Sequence, residues 1–318
     1  MKRTLIALIG LLGGCLPSVN RYALGGEREI IVFYDENTKN VLHVLDSLIN
    51  KAIYTPQPDS FYHIKPVPPD SYDVYKGYKN ILVLAYDGSE ASSLFEHIID
   101  GKEGLFTARK VFSPDDFVLI LSRQTPQDLL YDMPFIYRKV DSTLRERVYE
   151  LYRRRAFYVG RNKKIEEKIR KKYGLDMQVP LGWYFIKGTE NQDSILFLGK
   201  HNPDRFVFVY KTHVKYPLDR KTILDLRNRI AQVYYPGDYV LEEYIVEEKP
   251  YGMKEALCIY SVWQNDKEIA GGPLKTCAYY YGDYFIMYDI GVFAPRQEDK
   301  LQYILRAETF IKTLKPLD

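Results

Sequence analysis

The strongest constraint on this chain is a series of apolar runs of strand length alternating with stretches that repeat at helical spacing. Glu29–Tyr34 (EIIVFY) and Asn80–Tyr86 (NILVLAY) are β-rich and continuously apolar, which predicts buried strands. Between them Val41, Leu42, Leu45, Leu48, Ile49 and Ala52 recur on one helical face. Further strands are expected at Phe61–Val67, Phe106–Phe112 and Phe117–Ser122, with a short helix at Ala91–Asp100. Thr125-Pro126 is an N-cap and first-turn pair. From there to Tyr173 the pattern is mainly helical, broken near Met133-Pro134 and around Gly160, with Gly174 as a C-cap.

The second half has a similar composition. Strands are expected at Gly182–Ile186, Ile195–Leu198 and Phe206–Val214, then a helix at Leu218–Tyr234. Long strands follow at Tyr239–Glu247, Lys254–Trp263, Leu274–Tyr281 and Tyr284–Phe293, the last two joined by a hairpin at Tyr281-Gly282-Asp283. A closing helix, Arg296–Leu314, carries Tyr303, Ile304, Ala307, Phe310, Ile311 and Leu314 on one face. The expected fold class is α+β: two similar-sized halves of mostly antiparallel sheet packed with helices, 28–174 and 175–318.

The first fifteen residues set the location. Lys2 and Arg3 precede an apolar run, Leu5–Leu12, and Leu12-Gly13-Gly14-Cys15 follows. Charged start, short apolar stretch and small residues at a cut are the order of a secretory signal. The stretch from Thr4 to Gly14, about eleven residues, is too short to span a bilayer core that needs roughly twenty. The cysteine resembles that of a bacterial lipobox, which implies a signal peptide at 1–14, lipid attached at Cys15 and a lipidated tether over 15–27. The expected location is the cell envelope, lipid-anchored, leaning to the outer membrane facing the periplasm because Leu16 is not aspartate. The membrane is then a partner through the lipid, and an envelope protein is a second expected partner.

Charge and composition exclude little else. The chain has net charge +3, with 46% hydrophobic and 27% charged residues, so a packed globular body is expected and nucleic acid is not. Residues 138–172 hold fourteen Lys or Arg against five Asp or Glu, a solvated helical face first and an anionic-partner or membrane-surface patch second. Tyrosine is abundant, 29 residues, which suits half-exposed strands. With Cys15 lipidated, Cys258 and Cys277 remain, flanking a turn near Asn265-Asp266. They form a disulfide or stay as two buried thiols.

The C-terminal third carries a distinctive string: Trp263, seven residues, Gly271-Gly272-Pro273-Leu274, a Tyr-rich hairpin, Gly291-Val292-Phe293-Ala294-Pro295, and a helix ending Lys312-Thr313-Leu314-Lys315. It resembles domain-of-unknown-function family 4837, lipoproteins common in Bacteroidota. Lys79-Asn80-Ile81-Leu82-Val83, Tyr173-Gly174 and Val179-Pro180 extend the resemblance to most of residues 27–315. Two departures stand out: Tyr260-Ser261 where the family tends to Arg-Gly, and Leu274 where it has Phe. The resemblance implies location and architecture, and no activity.

Read from the residues alone, Gly271-Gly272 allows close backbone approach, and Pro273 marks a strand start. Trp263 with Tyr279, Tyr280 and Tyr281 forms the candidate ligand or partner surface, although core packing is the first reading for the tryptophan. The chain has no G-x-S-x-G elbow, Walker loop, H-E-x-x-H or C-x-x-C, and its five histidines are scattered. No catalytic residue, metal or cofactor is expected. Two functions remain: a non-catalytic envelope binding or assembly module, favoured, and an envelope hydrolase whose active site forms only in three dimensions.

Overall fold

A computed structural model describes residues 22–187, 194–250, 255–295 and 299–317. Cys15, its signal and most of the tether lie outside the described residues.

The first sheet is built from β1 (Glu29–Tyr34), β2 (His63–Val67), β3 (Asn80–Tyr86), β4 (Gly104–Arg109) and β5 (Phe117–Arg123), in the order β2-β1-β3-β5-β4. It is mixed: β1, β2, β3 and β5 run parallel, and the edge strand β4 is antiparallel to β5. The parallel pairing accounts for the continuous apolar runs, because both faces are covered. Ile30, Val32, Leu82 and Leu84 pack on one side under α1 (Lys39–Ile49) and α2 (Pro126–Ala156). Ile31, Phe33, Ile81 and Val83 pack on the other, with Phe95 and Ile99 from the segment Glu90–Leu94 and Glu96–Ile99. The single helix expected at Ala91–Asp100 is thus two short ones meeting at Phe95.

Helix α2 starts where Thr125 and Asp128 cap each other reciprocally, each accepting the other's backbone N–H at 3.1 Å. It then runs through Pro134 without the expected break. An interior proline costs about 3 kcal/mol. Leu129, Met133, Val140, Leu144 and Val148 are fully buried along the same helix, each contributing roughly 1.5–3 kcal/mol, which outweighs that loss. Helix α3 (Lys163–Tyr173) ends at Gly174, whose φ of 56° is the left-handed cap that glycine adopts without strain.

The second sheet comprises β6 (Tyr184–Phe185), β7 (Ile195–Lys200), β8 (Asp204–Thr212), β9 (Asp238–Glu248), β10 (Ala256–Asn265), β11 (Gly271–Tyr281) and β12 (Tyr284–Phe293). All pairings are antiparallel, in the order β9-β10-β11-β12-β8-β7-β6. One face carries Phe197, Phe208, Ile259 and Trp263 under α4 (Arg220–Tyr234). The other carries Leu196, Val207, Tyr260, Tyr288 and Ile290 against α2 and the closing helix α5 (Leu301–Ile311). The fold is therefore α+β, and one continuous core joins the first sheet, the helices α1, α2 and α5, and the second sheet.

Candidate functional site

Between the second sheet and the α2–α5 layer lies a cavity of about 480 Å³. Its floor follows from strand register. Tyr260, Lys275 and Ile290 lie abreast on β10, β11 and β12, and Cys258, Cys277 and Tyr288 form the next rung. Its roof follows from helical spacing: Ser142, Arg145, Glu146 and Tyr149 on α2, Glu308 and Ile311 on α5, with Lys312 just beyond. Glu248 closes one side from the edge strand β9.

The floor holds an ion pair out of reach of water. The Lys275 ammonium donates to both Glu308 carboxylate oxygens at 2.9 Å, to Tyr260 Oη at 2.8 Å and to Glu248 at 3.4 Å. Lys275 and Glu308 are 1% and 3% exposed. Tyr149 Oη donates to Glu308 at 2.7 Å, and Tyr288 Oη to its other oxygen at 3.4 Å. Burial pushes the Glu308 carboxyl up, but Lys275, Lys312 and these hydrogen bonds outweigh it and hold the group at about 2. Burial lowers the Lys275 ammonium, and Glu308 together with Tyr149, Tyr260 and Glu248 more than reverses this, holding it well above its ordinary value. Burial raises the hydroxyls of Tyr149, Tyr260 and Tyr288.

Nearer the mouth, Arg145 Nη1 donates to Glu248 at 2.6 Å while its Nε reaches Asp141 at 2.9 Å. Its guanidinium lies over the Phe61 ring, 4.0 Å from the centroid. The Lys312 ammonium sits 3.3 Å from the Tyr149 ring centroid and 3.9 Å from Glu308. Burial lowers its pKa, and Lys275 adds to that despite Glu308. The site thus has a locked ionic floor, aromatic walls and a loosely paired cation at its rim.

The expected ligand surface is divided by strand alternation. Tyr279 is buried in the cavity wall, and Tyr281, 45% exposed, stands at its mouth. Tyr280 and Trp263 point to the opposite face, where Tyr280 Oη donates to the Tyr216 carbonyl and Trp263 packs on Phe206. The four residues do not make one surface, because neighbours along a strand face opposite ways. Cys258 and Cys277 are direct cross-strand partners joined by a disulfide in the cavity wall. None of the histidines lines the cavity, and no group of three or more metal-ligating side chains occurs among the described residues. Sequence reading missed Lys275 and Glu308, although each carries a signal: a charge inside an otherwise buried strand or helix face requires a partner.

Residues 162–313 match the model of a family described as a domain of unknown function, DUF4837. Those residues, a little under half of the chain, are similar to that family. The match is narrower than the resemblance read over residues 27–315. The DUF4837 segment supplies the cavity floor and α5, while Ser142, Arg145, Glu146 and Tyr149 lie before it. No curated protein matches the sequence. Among solved structures, the Ran-binding protein Mog1p of Saccharomyces cerevisiae is 9% identical, over 46% of this chain and 91% of that one, with a TM-score of 0.33. A Bacteroides thetaiotaomicron protein is 12% identical over 46% of each chain, TM-score 0.29. LpqN, described as involved in cell envelope biogenesis of Mycobacterium tuberculosis, is 12% identical over 45% of this chain and 83% of that one, TM-score 0.28. Likeness at this level assigns no function.

Proposed function

We propose that this chain is an envelope lipoprotein, anchored through lipid on Cys15, that acts as a non-catalytic binding module for a small amphiphilic molecule. The observation that carries the binding reading is the cavity itself. Its volume and its mix of Tyr279, Tyr281, Ile311 and Leu314 with a few convergent charges suit a ligand with an apolar body and a polar end. The ionic floor argues against chemistry. Lys275 is held protonated and Glu308 ionised by each other, so neither is free as a nucleophile or as a base near neutrality. The anchor reading rests on the order of residues 2–15.

Two experiments test it. Wild type and Cys15→Ala are expressed in a bacterial host, fractionated and weighed intact. Lipid mass on wild type and unprocessed precursor from the variant are expected, and two soluble, unmodified products would sink the anchor. For the cavity, the purified full chain is denatured and its extract analysed by mass spectrometry. A near-stoichiometric small molecule is expected, lost from Ser142→Trp, which fills the mouth from α2, at an unchanged unfolding midpoint. An extract that is empty, or identical from both proteins, would overturn the binding reading. Conversion of the recovered molecule on incubation would favour the hydrolase.

A further inference from the structure

A second cluster lies away from the cavity, where β7, β8 and α5 meet. Arg205 on β8 and Arg306 on α5 both lie against the Tyr303 ring, their guanidinium carbons 4.9 and 5.5 Å from its centroid. Lys200, at the end of β7, is the direct cross-strand partner of Arg205, and burial first, then both arginines, lower its pKa. Arg205 is only 8% exposed. Burial and the charge of Arg306 push it down to about 10.

These three cations pair with no carboxylate among the described residues. Arg205 donates to the backbone carbonyls of Pro203 and Asn202 at 3.2 and 3.3 Å, Arg306 to Gln302 Oε1 at 2.6 Å, and Lys200 to the Leu181 carbonyl at 3.4 Å. Arg306 Nε is buried with no partner. Two acids that stand close are engaged elsewhere: Glu27, whose charge acts on Arg306, pairs with Arg155 at 2.8 Å, and Asp204, next to Arg205 in sequence, lies 2.6 Å from His201. A buried charge without a counter-charge is costly, so buried Arg205, with Arg306 against the same ring and Lys200 as its cross-strand neighbour, calls for an anion. Planar guanidinium forks match the paired oxygens of a phosphate, and a dianion offsets more of this charge than a carboxylate.

We propose that Lys200, Arg205 and Arg306 form a binding site for a phosphate group, carried by a free phosphate compound or by an anionic lipid headgroup. The test uses the chain from Leu16 onward, which contains every described residue. Inorganic phosphate is titrated by calorimetry at constant ionic strength, and vesicles of phosphatidylcholine with and without phosphatidic acid are sedimented with the protein. Saturable binding is expected in at least one arm, weakened about tenfold or more in Arg205→Gln and Arg306→Gln. Binding of free phosphate assigns a soluble ligand, and binding of phosphatidic acid vesicles alone assigns a headgroup. Without phosphate, Arg205→Gln is expected to keep or raise the unfolding midpoint, since it removes an uncompensated charge. The proposal fails if neither arm binds, or if both variants bind as wild type does.

Discussion

Lys275 in the middle of β11 and Glu308 in the last turn of α5 are joined through both carboxylate oxygens at 2.9 Å, so one ion pair clamps the closing helix to the second sheet. Breaking such a pair by removing one partner leaves a buried charge unpaired, at a cost of about 3–5 kcal/mol. Glu308→Gln is therefore expected to lower stability by that amount in urea unfolding. The double variant Lys275→Met/Glu308→Leu is expected to regain most of it, because no charge then remains buried. A single variant within about 1 kcal/mol of wild type contradicts the clamp.

The same pair fixes the sign of a pH dependence. Glu308 falls from an ordinary value of 4.5 to about 2 in the folded protein. Between those values the unfolded chain binds more protons, so stability rises with pH there. The contribution of Glu308 is full above pH 4.5 and fades as pH drops toward 2. Lys275 has the opposite sense: raised above 10.5, its contribution is lost only when pH climbs through its folded value. Glu308→Gln is expected to flatten the acid limb of the stability curve measured by denaturant melts. Parallel acid limbs for the two proteins rule the assignment out.

Much of the architecture was legible because it is local. The hairpin strand Tyr284–Phe293, the Thr125-Pro126 start and the Gly174 stop all follow from residues within a few positions of each other. Pairing direction is not local, and the parallel order of the first sheet left only one trace, apolar runs without alternation. The cavity was hidden for the same reason. Its residues run from Ser142 to Lys315 and converge only when α2 and α5 lie over the second sheet. The sequence did mark its centre, since Glu308 stands four residues after Ile304 on the apolar face of α5. The basic run over residues 138–172 reads in the structure as a largely paired surface, with Arg154 on Glu150, Arg161 on Glu166 and Lys171 on Glu167.

Gly272 and Gly291 separate two kinds of close packing. A Cβ on Gly272 would run into the Val292 carbonyl oxygen, which the sheet holds in place. A Cβ on Gly291 would meet the Phe206 ring, a side chain able to turn aside. Gly272→Ala is expected to cost about 1–3 kcal/mol or more, the range for overpacking, and Gly291→Ala less. Thermal melts of the two variants side by side decide this. Equal losses would mean that strands β11 and β12 adjust as freely as an aromatic ring.

Trp263 lies on the α4 face of the second sheet, so it distinguishes core from site. Its indole ring packs 5.9 Å from Phe206, and its buried Nε1 has no hydrogen-bond partner. Trp263→Phe therefore removes an unsatisfied donor along with some volume, and the two effects offset, giving a net change expected within about 1.5 kcal/mol. The sheet separates this ring from the cavity, where Tyr279 and Tyr281 stand. The chain has two tryptophans, so a Trp183→Phe background isolates the emission of Trp263. Adding the molecule recovered from the cavity should leave that emission unchanged. A shift on binding would place the ligand on the α4 face and transfer the site from Lys275 and Glu308 to the opposite side of the sheet.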